Sequence, residues 1–500
     1  MDLTQARQEL IALQQKICAY NHAISLINYD GDTSAPRGTA DNRAQTLGIL
    51  SEILYSLSTC PETVALLEFL DGRTGELTER EKRMVYLLLK DIRFMQKIPK
   101  NEYIAYHKLT VESQDVWHRA KIDSDFESFR PYLEKMFACQ IRFARYAAPD
   151  TDPYDYWLNE YETGLNREKC DAFFSLLRSR LVPLIQKCGE KPQVSDACLK
   201  GDFPEEKQQA LALWVMEKMG LNMDRVGLGV TEHPFTTSLG SHLDERITTH
   251  YHRDDVSSSL FSVIHEGGHA LYDTGSDDDL AYTVLDGGVC MSIHESQSRF
   301  WENILGRSKS FVRFLFPKLQ ELFPDQMQGY TWQDFYRAVN RVQPSLIRTE
   351  ADEVTYSLHV MIRYELEKQI FAGALQVKDL PNAWNRLYKE YLGVDVPDDR
   401  RGVLQDSHWS FGAMGYFPAY ALGSAYGAQF LARMKETVDV DAALDAGDFA
   451  PINEWNRQHI WRFGGLYAPD AVLSRAMGQP FDPEFYLSYL ESKCRDIYGV

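Results

Sequence analysis

Apolar residues recur at steps of three and four along most of this chain. From Gln5 to Ile27 they fall at Leu10, Leu13, Ile17, Tyr20, Ile24 and Ile27, which is one face of a helix. A turn-rich stretch, Asp30–Gly38, interrupts the pattern before it resumes at Leu47, Leu50, Ile53 and Leu54. Thr78 is placed to cap a helix over Glu79–Gln96 that stops at Ile98-Pro99. The same period runs through 101–147, 166–187 and 203–220, with breakers at Pro149–Pro153 and Gly189–Pro192. Residues 224–252 differ in texture. They are rich in Gly, Thr and β-branched residues, and Arg246–His250 reads as a short strand. Helical spacing returns directly afterwards, again over Val289–Leu305 and 311–393, and in the tail 439–500. No internal repeat, low-complexity tract or flexible linker appears. The pattern predicts a mainly α fold: one large helical body around a groove, with minor β near residues 224–252. We take 1–500 as a single domain, with a helical N-terminal part over about 1–220 and a site region over about 230–425.

Composition narrows the class. The chain has 500 residues, 44% of them hydrophobic, so a sizeable core is available. A net charge of -19 argues against nucleic acid and anionic membranes as partners. The start, MDLTQARQELIALQQK, lacks the basic and apolar regions of a signal peptide, and no apolar run approaches the roughly 20 residues that span a bilayer. Eight cysteines are scattered without a C-x-x-C pair. These features predict a reduced, cytoplasmic protein.

The chemistry centres on Leu260–Asp273, LFSVIHEGGHALYD. His265, Glu266 and His269 form H-E-x-x-H. Positions i and i+4 share a helix face, so both histidines can hold one zinc ion while Glu266 reaches a water on it. Two histidines leave the site short of a third protein ligand. The extension H-x-x-G-x-x-H fails, because Tyr272 and Gly275 occupy the glycine and histidine slots. A glutamate from a later helix remains, and Ser292–Gln297 supplies Glu295, with His294 as the competitor. Zinc lowers the pKa of its water to roughly 7. Glu266 then serves as general base, and later as acid toward the leaving amine. Asp273, Asp286 and Glu302 are candidate acceptors for the imidazoles, each read in the first instance as a surface acid. Glu266 and His269 also form E-x-x-H, a di-iron ligand pair, but that architecture needs a second such motif and none is present.

HExGH followed by HESQSR (His294–Arg299) resembles the thermostable carboxypeptidase Taq family of metallocarboxypeptidases. Four further blocks agree in order: His233-Pro234-Phe235, Asp244–Thr248 as D-x-R-x-T, Ile347–Asp352 as I-R-x-x-A-D, and Gly402–Trp409 as G-x-x-Q-D-x-H-W. Tyr29–Gln45 is similar too, with Tyr29 and Ala35 where Trp and Met are expected. The resemblance implies a neurolysin-like helical fold with a deep groove, one zinc or cobalt ion per chain, and usually a homodimer. It also implies release of single residues from peptides with a free C-terminal carboxylate, with broad side-chain tolerance. Such an enzyme must recognise that carboxylate. Arginine's planar fork suits it, with Arg348 the first choice and Arg246 the second, although Asp244 offers Arg246 a structural pairing. His408 and Tyr420 are candidates for oxyanion stabilisation, with Tyr416 an alternative to Tyr420. His233 is a candidate groove residue. The nearest alternatives are a zinc oligoendopeptidase and a non-catalytic peptide-binding scaffold on the same fold.

Overall fold

The computed structural model describes residues 1–500, the side chain of Arg37 excepted. Among the described residues there are 20 α-helices and one three-stranded sheet, so the mainly helical class read from the period is the class adopted. Local chemistry moved several boundaries. The first helix runs Leu3–Thr33, past the expected break at Asp30, because the Thr33 hydroxyl donates to the Tyr29 carbonyl and the Ser34 N–H still reaches Asp30 O. The stretch 101–147 is two helices, Lys100–Asp123 and Phe126–Ala147. They divide at Ser124, which has a φ of 55°, and Asp125 caps the second by accepting from the Ser128 N–H. The stretch 311–393 holds Lys309–Leu322, Trp332–Val339, Glu353–Phe371 and Leu380–Leu392. No single helix among the described residues is long and apolar enough to cross a membrane, and all eight cysteines are free thiols.

Internal contacts divide the chain into two compact units, each discontinuous in sequence. One comprises Met1–Arg93, Ser195–Val339 and Phe430–Phe481. The other comprises Phe94–Val194, Asn340–Gln429 and Asp482–Val500.

The first unit carries the sheet, which lies within the expected 224–252 stretch. Strand β1 (Val226–Val230) pairs in parallel with β3 (Glu245–Thr249), and β2 (Thr236–Ser238) pairs antiparallel with the other edge of β3. Strands β2 and β3 pack on the helix Val256–Thr274, which contains the H-E-x-x-H motif. That helix begins where Asp255 accepts from the Ser257 N–H. Val256, Leu260, Val263, Ile264 and Ala270 are at most 1% exposed, so packing outweighs the roughly 1 kcal/mol that each of Gly267 and Gly268 costs in helix propensity.

In the second unit the helix Glu353–Phe371 is mostly buried, and His359, Arg363 and Glu367 fall at four-residue steps along it. Glu367 accepts from the Tyr154 hydroxyl at 2.8 Å, Trp409 Nε1 at 2.6 Å and the Gly415 N–H at 2.8 Å. Three donors compensate the burial of this carboxylate, and they fix the segment that carries His408.

Candidate functional site

The motif helix presents His265 and His269 one turn apart. Against it packs the helix Met291–Arg299, which carries Glu295. Glu295 Oε2 lies 3.8 Å from His265 Nε2 and 3.5 Å from His269 Nε2, and all three ligand atoms fall within 4.8 Å of one another. Two ligands about 2.0–2.1 Å from a tetrahedral zinc ion are separated by about 3.3 Å, so this triad fits such an ion with only small side-chain movements.

The remaining nitrogens are directed by a surrounding set of bonds. His265 Nδ1 meets Glu302 Oε2 at 2.9 Å. Glu302 sits in a π-helical turn, Phe300–Leu305, that continues the Glu295 helix, and Arg307 Nη2 donates to its other oxygen at 3.0 Å. His269 Nδ1 meets His294 Nδ1 at 2.5 Å, and His294 Nε2 lies 3.1 Å from both oxygens of Asp273. With both Nε2 lone pairs facing the triad, each Nδ1 carries the proton. His269 then donates to His294, and His294 donates to Asp273. His294, the competitor for the third position, therefore stands behind His269 and outside the candidate triad. Arg299 Nε donates to Glu295 Oε1 at 2.8 Å, leaving Oε2 for the triad.

Charge follows the same design. Burial pushes the Glu295 carboxyl up, but Arg299 and the two imidazoles outweigh it and hold it well below the usual carboxylate range. Burial pulls His269 down to about 4, which keeps it neutral and able to ligate. Burial also works downward on His265, yet its bond to Glu302 and the charges of Glu295, Glu302 and Glu266 hold it above its ordinary value. That excess of carboxylates marks a place suited to a cation. Glu302→Ala removes the His265 acceptor and lowers metal affinity by about 10- to 100-fold, read by competition with a chelator.

Glu266 is buried beside the triad, and its Oε2 accepts from the Thr236 hydroxyl of β2 at 2.5 Å. Burial raises its carboxyl above the ordinary value, against the lowering pull of His265 and Thr236. A Cβ on Gly268 would lie 2.7 Å from Gln297 O and 2.7 Å from Ser298 Cα. The glycine thus admits the backbone of the Glu295 helix at the distance the triad requires.

The other sequence candidates fall in two places. In the first unit, Arg246 on β3 pairs with Asp244 at 2.8 Å and lies over the Tyr29 ring, while His233 is exposed on the bend between β1 and β2. In the second unit Arg348, His408 and Tyr420 come together. His408 Nε2 lies 3.1 Å from the Tyr420 hydroxyl, and the Arg348 guanidinium is 4.8 Å from the Tyr420 ring centroid. Arg348 is 5% exposed; its Nε and Nη2 donate to Asp406 Oδ1 and its Nη1 to the Tyr356 hydroxyl. Those bonds use three of its five N–H groups. Asp406 is shared with Arg363 Nε at 2.8 Å.

Sequence alone does not separate Asp273, Asp286 and Glu302, and each reads as a surface acid. Asp273 is instead buried and Glu302 half-buried, and both belong to the site, Glu302 at His265 and Asp273 at His294. Asp286 turns to His242, accepting from its backbone N–H and meeting Nδ1. Thr236 was not anticipated, since nothing in a strand pattern marks which hydroxyl meets a carboxylate on the next helix.

A sequence model of the family described as Carboxypeptidase Taq (M32) metallopeptidase matches residues 9–494. "Carboxypeptidase 1" of Bacillus subtilis is 38% identical over 502 residues, covering 100% of both chains. "Thermostable carboxypeptidase 1" of Pyrococcus furiosus is 36% identical, covering 97% of this chain and 98% of its own. The crystal structure of an M32 carboxypeptidase from Deinococcus radiodurans R1 superposes with a TM-score of 0.96 at 36% identity, covering 99% of this chain and 100% of that one.

Proposed function

Because the chain belongs to the carboxypeptidase Taq (M32) metallopeptidase family, we propose that this metallocarboxypeptidase uses one zinc ion held by His265, His269 and Glu295, with Glu266 as general base. The observation that carries this reading is the convergence of two Nε2 atoms and one Glu295 oxygen, with Glu266 alongside. A divalent ion there supplies positive charge that polarises the scissile carbonyl and acidifies water. Glu266 accepts the proton of the attacking water and passes it to the departing amine; its burial and raised pKa bring it nearer the range in which one group performs both transfers. Thr236 holds the Glu266 carboxylate in place. Glu302 and His294 orient the two imidazoles. Cobalt is the metal alternative.

Arg348 is assigned to the substrate's terminal carboxylate, through its two remaining N–H groups, and His408 and Tyr420 to the developing oxyanion. Arg246 and His233 have weaker support as substrate residues, since one is paired to Asp244 and the other is exposed. The rest of the reading is a single catalytic domain over 1–500, broad side-chain tolerance, a homodimer and a cytoplasmic location.

Digestion of peptides with free and amidated C-termini tests it. Free-acid peptides lose one residue at a time, amides persist, and a chelator stops the reaction. Internal cleavage of an amidated peptide overturns the C-terminal reading. Arg348→Ala lowers kcat/KM on free-acid peptides by about 10²-fold, the value of a charge-assisted fork. A melting curve checks that the Asp406–Arg363 pair still holds the fold.

A further inference from the structure

Two of the eight free thiols meet each other. Cys188 lies in the last turn of the helix Arg167–Gly189, and Cys494 lies in the helix Glu484–Tyr498. These helices pack together within the second unit. Each buries an apolar face, with Leu177 and Leu181 on one and Leu487 and Leu490 on the other at 0% exposure. Ion pairs set the register: Arg180 Nη2 meets Glu491 Oε1 at 2.6 Å and Nη1 meets Glu484 Oε2 at 3.4 Å. About two turns beyond Arg180, Cys188 receives a hydrogen bond from the Cys494 thiol, both residues being at most 1% exposed. Other thiols are held differently. Arg142 Nη2 donates to Cys139 Sγ at 3.3 Å, and Cys290 Sγ lies 3.2 Å from the Ser292 hydroxyl.

The bond between the two sulfurs makes them unequal. It holds the Cys188 thiol below its ordinary range, against burial, and the same bond, with burial, holds Cys494 above it. The thiolate is the attacking species in thiol–disulfide exchange, so Cys188 is the sulfur that attacks first. We propose that Cys188 and Cys494 are a redox modification site, which a low-molecular-weight disulfide converts to an intramolecular disulfide fastening the stretch Asp482–Val500 to the stretch Phe94–Val194. The Cys188 thiolate attacks one sulfur of the reagent and displaces a thiolate, leaving a mixed disulfide on Cys188. Cys494 gives its proton to that thiolate, attacks the Cys188 sulfur and displaces the second thiolate. One S–S bond breaks in the reagent and one forms in the protein; the reagent leaves as two thiols and the protein loses two electrons. Access comes from local opening, since both cysteines lie near helix ends, where opening costs less than global unfolding. The bridge closes a very long loop, which removes more freedom from the unfolded chain than a short one does.

The test incubates the full-length protein with oxidised glutathione, then unfolds it in iodoacetamide to block remaining thiols and digests it without reductant. The peptides carrying Cys188 and Cys494 are recovered linked, and dithiothreitol separates them. The linked protein has a Tm about 5 °C or more above the reduced one. Cys494→Ser stops at a glutathione adduct on Cys188, whereas Cys188→Ser leaves Cys494 a free thiol. Oxidation raises the Tm of neither variant, and both, when reduced, keep the parent's kcat/KM. Recovery of both cysteines alkylated from the unsubstituted protein, or of either linked to a different cysteine, overturns the site and needs no variant to fold. A linked protein that melts with the reduced one overturns the fastening.

Discussion

Glu266→Gln lowers kcat by about 10³-fold while the protein still binds one metal ion per chain. The amide is nearly the same shape, so the Thr236 hydroxyl keeps an oxygen to donate to, and His265, His269 and Glu295 are untouched. What disappears is a group that accepts a proton near neutral pH, and a general base contributes about 10²–10⁴. Metal content by elemental analysis, beside turnover of a free-acid peptide, separates the two effects. Turnover within a factor of a few of the parent removes Glu266 from the proton-transfer role. Loss of metal would mean that Glu266 supports the triad rather than the chemistry.

Gly268→Ala lowers metal affinity by about 10- to 100-fold and destabilises the fold by about 1–3 kcal/mol. Helix propensity alone predicts the opposite sign, since Ala exceeds Gly by about 1 kcal/mol inside a helix. Contact decides the outcome. The added methyl meets backbone atoms of Gln297 and Ser298 at 2.7 Å, and backbone within a helix has nowhere to retreat. The Glu295 helix must move outward, taking the Glu295 oxygen away from both imidazoles. Gly267→Ala is the control: its methyl meets Met219 Cε at 2.9 Å, the far end of a flexible side chain, so metal affinity is preserved. Isothermal titration with zinc and a thermal melt on each variant distinguish them. Equal affinities in the two would show that the close helix approach does not set the triad.

Much of this arrangement was legible beforehand, because its parts are periodic. Two histidines four apart on a helix share a face by geometry alone, and the third ligand they lack points to Glu295 on the next helix. Composition marks 224–252 as the place of minor β and Arg246–His250 as one strand, while β1 and β2 carry no strand pattern of their own. Other parts depend on the register between elements, which no local pattern records. The π turn at Phe300–Leu305 that carries Glu302 has no marker in FWENIL. His294 and Glu295 are neighbours in a strong motif, and only the packing shows which faces the triad. Arg348 was chosen for its fork without any sign that Asp406, 58 residues on, already holds one edge of it. The first helix passed through a Gly-Asp-Thr turn signal because a threonine side chain can cap its own preceding turn.

The interleaving of the two units bears on how the protein is made. Each is assembled from three stretches, and the first unit takes its third stretch from Phe430–Phe481. At ribosomal rates of about 5–20 residues per second, that third stretch follows Met1–Arg93 by roughly 20–70 s. Until then the first unit is incomplete, and the apolar surface that its third stretch covers is open to water. The stretch Asp482–Val500 belongs to the second unit, so synthesis that stops before Asp482 leaves that unit without the helix Glu484–Tyr498.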